Sequence, residues 1–263
     1  MNDNVLDWKR IDSAVRQMAQ ELSLTANAEE VCRQLRELAE ICGPFTSNRK
    51  MLVKIGRVLL NGSREIIVPI CAEYFSELVK SHIKFWGNIL TVIPQFKQFE
   101  MLLLVGGRGE NNNQKLFQVA KQTHELLKMM IEQCPSDVHL IIQKQSWHVQ
   151  IMAEIIPDLK ERELKTFQEI LSNPNLKTRI DTETIERMEM YQREYGKTIS
   201  DMRTATILGA AQYVILGKYA TEQNALICNH NTGRLAWYSQ TGAGVLHNPK
   251  SNQHNPKLNL DEL

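Results

Sequence analysis

Apolar residues in this chain recur at every third or fourth position over most of its length, and that spacing constrains the fold more than any other feature. Val5, Trp8, Ile11, Val15, Met18 and Leu22 make one such stripe. Val31, Leu35, Leu38 and Ile41 make a second, and Asn27 and Glu30 ahead of it have the spacing of a capping box. Positions three and four apart share one face of a helix, so each stripe predicts a helix with one buried side. Gly43-Pro44 ends the second helix. Ser47 or Asn48 then caps a third, running to about Asn61-Gly62-Ser63.

The same reading carries through the rest. The long apolar stretch from Ile66 to Val92 reads as helical, with Pro69 in its first turn, where a missing N–H costs nothing. Pro94 opens a short helix ending in Leu102-Leu103-Leu104-Val105, and Gly106 to Asn113 is the clearest loop. Leu116, Val119, Ala120, Leu127 and Met130 carry a further helix, and Ser136 or Asp137 caps its successor. Pro157 starts another, and Ser172-Asn173-Pro174-Asn175 is a strong break. Ile185, Met188, Tyr191 and Tyr195 form a stripe that stops at Gly196. Ile207 to Leu216 is apolar and rich in small residues, which suits close packing. Strand-like alternation is scarce and no repeat of fixed period appears. The expected fold is all-α, a multi-helix bundle with a larger N-terminal part over 1–172 and a smaller helical part over 173–240. Residues 241–263, rich in Gly, Asn, Pro, Lys and His, are expected to form a flexible tail.

Charge narrows the function. Lysine and arginine number 31 against 30 acids, so the chain as a whole is no cationic coat for nucleic acid. The charge is uneven, however. Residues 47–108 hold nine cations and four acids, and no acid interrupts 47–63. Lys50, Lys54 and Arg57 share one face of the predicted third helix, with Arg49 beside them, opposite Met51, Ile55 and Val58. These four cations are the candidate contact for phosphates of RNA or of anionic lipid. A solvated face of an ordinary amphipathic helix is the competing explanation.

Nothing spells out a catalytic centre. Gly106-Gly107-Arg108-Gly109 lacks the Lys-Ser/Thr ending of a phosphate loop and reads as a helix end followed by a loop. Cys228-x-His230, with His247 and His254, has the wrong spacings for a structural zinc site. Trp237-Tyr238, Tyr213 and Tyr219 read as core or partner contacts in preference to base-stacking platforms. The five cysteines include no C-x-x-C pair and read as small hydrophobes of a reducing compartment. The first residues are polar, and no run of about 18 apolar residues occurs, so neither secretion nor a membrane span is expected.

One segment resembles a known family. Glu222-Gln223-Asn224-Ala225-Leu226-Ile227-Cys228-Asn229-His230, behind the small-residue helix from Arg203 to Leu216, resembles the late helical region of some orthomyxovirus matrix proteins. The resemblance covers about 40 of 263 residues. It implies a protein without catalytic activity that self-assembles between an anionic membrane and a ribonucleoprotein, in the cytoplasm or nucleus of a host cell and in the virion. Its partners would be further copies of itself, anionic lipid, and RNA or nucleoprotein, with no cofactor and no small-molecule substrate. The chain departs from that pattern in lacking a dense Arg-Lys-x-Lys-Arg block. The competing functions are an RNA-binding nucleoprotein of a negative-strand virus and a cellular helical adaptor.

Overall fold

The structure is a computed structural model that describes residues 6–46, 48–62, 65–71, 85, 88–94, 100–106, 137–142, 155–196, 200–229 and 232–248. Helix dominates among these residues, as the apolar spacing predicts. Three helices come first: α1 (Trp8–Glu21), α2 (Ala28–Thr46) and α3 (Arg49–Leu60). Asn48 caps α3, its side-chain oxygen accepting the Met51 N–H at 2.8 Å. The predicted stripes are the buried faces: Ile11 and Val15 of α1, Val31, Leu35 and Leu38 of α2, and Met51, Leu52, Ile55 and Val58 of α3. Gly56 lets α3 come close to the other two. A Cβ there would lie 3.1 Å from Val15 and 3.2 Å from Leu35.

The helices surround a sheet that the periodicity does not reveal. Its strands are β1 (Glu65–Cys71), β2 (Glu100–Gly106), β3 (Asp137–Ile142), β4 (Leu226–Asn229) and β5 (Gly244–His247). All neighbours pair in parallel, in the order β3-β2-β1-β4-β5. Four readings of the sequence change accordingly. Pro69 lies inside β1, not in a helical first turn, and Leu102-Leu103-Leu104-Val105 belongs to β2. Asp137 begins a strand, not a helix. Residues 244–247 of the expected tail form the edge strand β5, with Val245 and Leu246 fully buried. The physical reason is common to the first three. Strands of a parallel sheet are covered on both faces, so Ile66, Ile67 and Val68 are all buried and no polar alternation betrays them.

Helices α4 (Leu159–Ser172), α5 (Pro174–Tyr195) and α6 (Met202–Glu222) carry the chain from β3 to β4, and α7 (Thr232–Ser239) joins β4 to β5. Asn173 ends α4 and caps α5, accepting the N–H groups of Asn175 and Leu176, with Pro174 in the first turn. Gly196 closes α5 in the left-handed region, at φ 62°. The buried side of α5 is Ile180, Thr184 and Tyr191, whereas Ile185 of the expected stripe is 58% exposed. Since β4 and β5 pair onto β1, the expected division at 172/173 does not separate two cores. Helix α3 covers the edge at β5, where the Val245 N–H donates to Met51 Sδ at 3.1 Å. The expected helix through Leu116 and Met130 lies outside the described residues.

Candidate ligand cleft at the carboxyl edge

The strand order places a topological switch between β1 and β4. From β1 the chain crosses to β2 on one side, and from β4 it crosses to β5 on the other. Right-handed crossovers in opposite directions lie on opposite faces of the sheet, which leaves a crevice at the carboxyl ends of the two central strands. The ladder between these two strands is the shortest in the sheet. Between β1 and β4 pairing runs only through Ile66↔Leu226 and Ile67↔Ile227. On either side it continues, from β1 to β2 as far as Cys71↔Gly106 and from β4 to β5 as far as Asn229↔His247. The paired register of the two central strands therefore ends at Ile67. Pro69, which has no N–H to give to a ladder, lies just beyond that end.

Polar groups line the β4 side of this edge. Asn229, His247 and Asn248 are buried. The Asn229 carbonyl accepts from the Asn248 N–H at 3.0 Å and lies 3.1 Å from His247 Nδ1. Nδ1 must carry a proton to bond a carbonyl, which fixes the ring tautomer. The arrangement locks the ends of β4 and β5 together. Burial pushes the neighbouring Cys228 thiol well above its ordinary value, so it stays a thiol and packs as a hydrophobe. No group of three histidine, cysteine, aspartate or glutamate side chains fit for a metal occurs among the described residues, and His230 and His254 lie outside them. Gly106 is the last residue of a strand, not of a helix, and Gly107-Arg108-Gly109 lie outside the described residues.

The four predicted cations do not form one face. Arg49, Lys50 and Arg57 are exposed. Lys54 points inward, and its Nζ donates to the Ser239 carbonyl at 3.0 Å and to that of Thr241. Burial, and then repulsion by Lys50, holds its pKa below the ordinary lysine value. Lys54 is thus a strut between α3 and the turn that leads from α7 into β5.

A second polar cluster joins α5, α6 and α7. Trp237 Nε1–H donates to both Glu183 oxygens, at 2.9 and 3.1 Å. Arg179 Nε donates to Glu183 at 3.2 Å, and its guanidinium stacks 5.5 Å from the indole centroid. Trp237 and Tyr238 are both buried, and Tyr213 meets Tyr238 edge-on at 5.9 Å, so none of the three is a base-stacking platform. Burial pushes the Glu183 carboxyl above its ordinary value of 4.5, against the opposing pull of Arg187, Arg179 and Trp237. The side chain keeps 17% exposure and hence a path for protons. A raised native pKa means that the folded protein binds this proton more tightly than the unfolded chain. The resulting stability is complete below the unfolded value and is lost as pH rises through the native one. Urea unfolding at intervals from pH 4 to 8 should therefore show the parent losing more stability than Glu183→Gln over that range. Parallel profiles would show that Glu183 does not titrate there.

The sequence revealed neither the short β1–β4 ladder nor the Glu183 cluster. One signal was available: Leu226-Ile227-Cys228 and Val245-Leu246 are short apolar runs, each ending in Asn or His, as strands that deliver polar groups to a carboxyl edge would. No family model, no curated protein and no solved structure matches the chain.

Proposed function

We propose that this chain binds a small polar ligand of nucleotide size in the crevice between β1 and β4. One observation carries the reading: the β1–β4 ladder stops at Ile67↔Ile227 while both flanking ladders run on. A parallel sheet concentrates backbone groups without ladder partners at such a point, and open α/β sheets take their ligands there. This departs from the expectation of no small-molecule ligand. We assign no chemical step. The test is hydrogen–deuterium exchange on the purified full chain with adenine and guanine nucleotides, each at millimolar concentration. Protection confined to peptides spanning 65–71 and 226–231 is the expected result. Protection elsewhere, or none with any nucleotide, refutes the reading.

A second reading keeps the matrix-like role, in which the chain self-associates and contacts an anionic membrane or ribonucleoprotein. It is favoured by the exposure of Arg49, Lys50 and Arg57 together on α3. No helix among the described residues is long and apolar enough to cross a membrane, so this contact would be peripheral. Cosedimentation with phosphatidylserine vesicles at low and high salt tests it. Salt-sensitive binding abolished by Arg49→Glu, Lys50→Glu and Arg57→Glu together supports it, and unchanged binding removes it.

A further inference from the structure

We propose that the outward face of α5 docks onto the outward face of α3 in a second copy of this chain. Helix α3 packs against α1, α2 and β5, and α5 packs against α4 and α6. The two helices thus have different neighbours, and each keeps one face in solvent. This contact rests on the self-association of the second reading above, and it gives the α3 cations to protein in place of membrane or ribonucleoprotein.

The two faces are complementary in charge. From Arg49 to Leu60 the exposed residues are Arg49, Lys50 and Arg57, and the helix contains no acid. Lys50 and Arg57 stand two turns apart on one face, with the half-buried Val53 between them. From Thr182 to Gln192 the exposed residues are Thr182, Ile185, Glu186, Met188, Glu189 and Gln192. The one cation in that stretch, Arg187, turns to the backbone of Gly209, its Nη1 3.5 Å from where a Cβ would be. Arg49, Lys50, Arg57, Glu186 and Glu189 form no ion pair among the described residues. Ile185 is 58% and Met188 40% exposed, one turn apart beside the two acids. Docked, Ile185 and Met188 would cover Val53 while Glu186 and Glu189 meet Lys50 and Arg57, an apolar centre inside a charged rim. The whole chain carries a net charge of only +1, so no long-range repulsion between copies opposes the contact. Because the two surfaces differ, each copy takes two neighbours, giving a ring or an open chain of copies.

Sedimentation velocity of the purified full chain, with and without nuclease treatment and across a dilution series, tests this. The parent should self-associate, and less so at high salt. Lys50→Glu with Arg57→Glu should weaken association by at least about tenfold, and so should Glu186→Lys with Glu189→Lys, because each sets like charges face to face. All four positions are exposed, so both double variants should keep the parent's helical circular dichroism. The decisive sample is an equimolar mixture of the two double variants. There each reversed face meets one of opposite sign on the other variant, and association should return. Should a double variant fail to fold, Arg57→Gln and Glu189→Gln, which remove charge without reversing it, decide by weakening association or leaving it unaltered. A parent that stays monomeric removes both the contact and the self-association on which it rests. Association unaltered in the variants, or not restored in the mixture, overturns the contact alone. Association lost on nuclease treatment assigns the α3 cations to RNA and overturns it as well.

Discussion

Lys54→Glu should destabilise the protein by at least about 3 kcal/mol, whereas Lys50→Glu and Arg57→Glu should each stay within about 1 kcal/mol of the parent. The three residues share one face of α3 in sequence but not in environment. Lys50 and Arg57 end in solvent, and a charge change there meets only weak, screened fields. Lys54 instead supplies the donor for the Ser239 and Thr241 carbonyls. A carboxylate at 54 would leave both acceptors without that donor and set a negative charge against them. It would also loosen the turn whose Thr241 lies hard against α6, where a Cβ on Gly217 would come within 2.5 Å of Thr241 Oγ1. Urea unfolding of the three single variants is the measurement. Equal, small effects at all three positions would show that Lys54 is solvated like the others. The result also governs any membrane-binding experiment, because a variant carrying Lys54→Glu would lose binding through unfolding as readily as through charge.

Trp237→Ala should cost about 3–5 kcal/mol, the largest loss expected from any single truncation in the α5–α6–α7 layer. The indole is 1% exposed and fills the space between these helices. Its removal leaves a cavity and also takes the N–H from both Glu183 oxygens and the aromatic face from Arg179. Trp237→Phe separates the two contributions. It retains most of the volume and loses the donor, so about 1–3 kcal/mol should remain, the usual cost of leaving a buried acceptor unsatisfied. Thermal or urea unfolding of both variants would check this. A Trp237→Ala protein within 1 kcal/mol of the parent would mean that the layer collapses without loss.

Local signals alone made α1, α2 and α3 legible. A helix closes its hydrogen bonds within four residues, so an apolar stripe and a cap such as Asn48 specify it with no knowledge of the rest of the chain. The breaks at Asn173-Pro174 and Gly196 were legible for the same reason, since proline and glycine act on their own backbone torsions. Trp237 and Tyr238 read as core or partner contacts, and the structure buries both.

Only the tertiary structure decided the sheet, and with it the candidate site. The hydrogen bonds of β1 are made with β2 and β4, and β4 lies more than 150 residues further along the chain. Nothing local to Ile66-Ile67-Val68 distinguishes a strand buried on both faces from a buried helical turn. The 244–247 segment read as a tail because its burial is supplied by α3 and β4, distant in sequence. The direction of Lys54 was beyond the sequence for a related reason. Helical spacing fixes which residues share a face, but what that face meets is set by packing, and here it meets two carbonyls at the end of α7. The crevice between β1 and β4 is a property of strand order, which no single segment encodes.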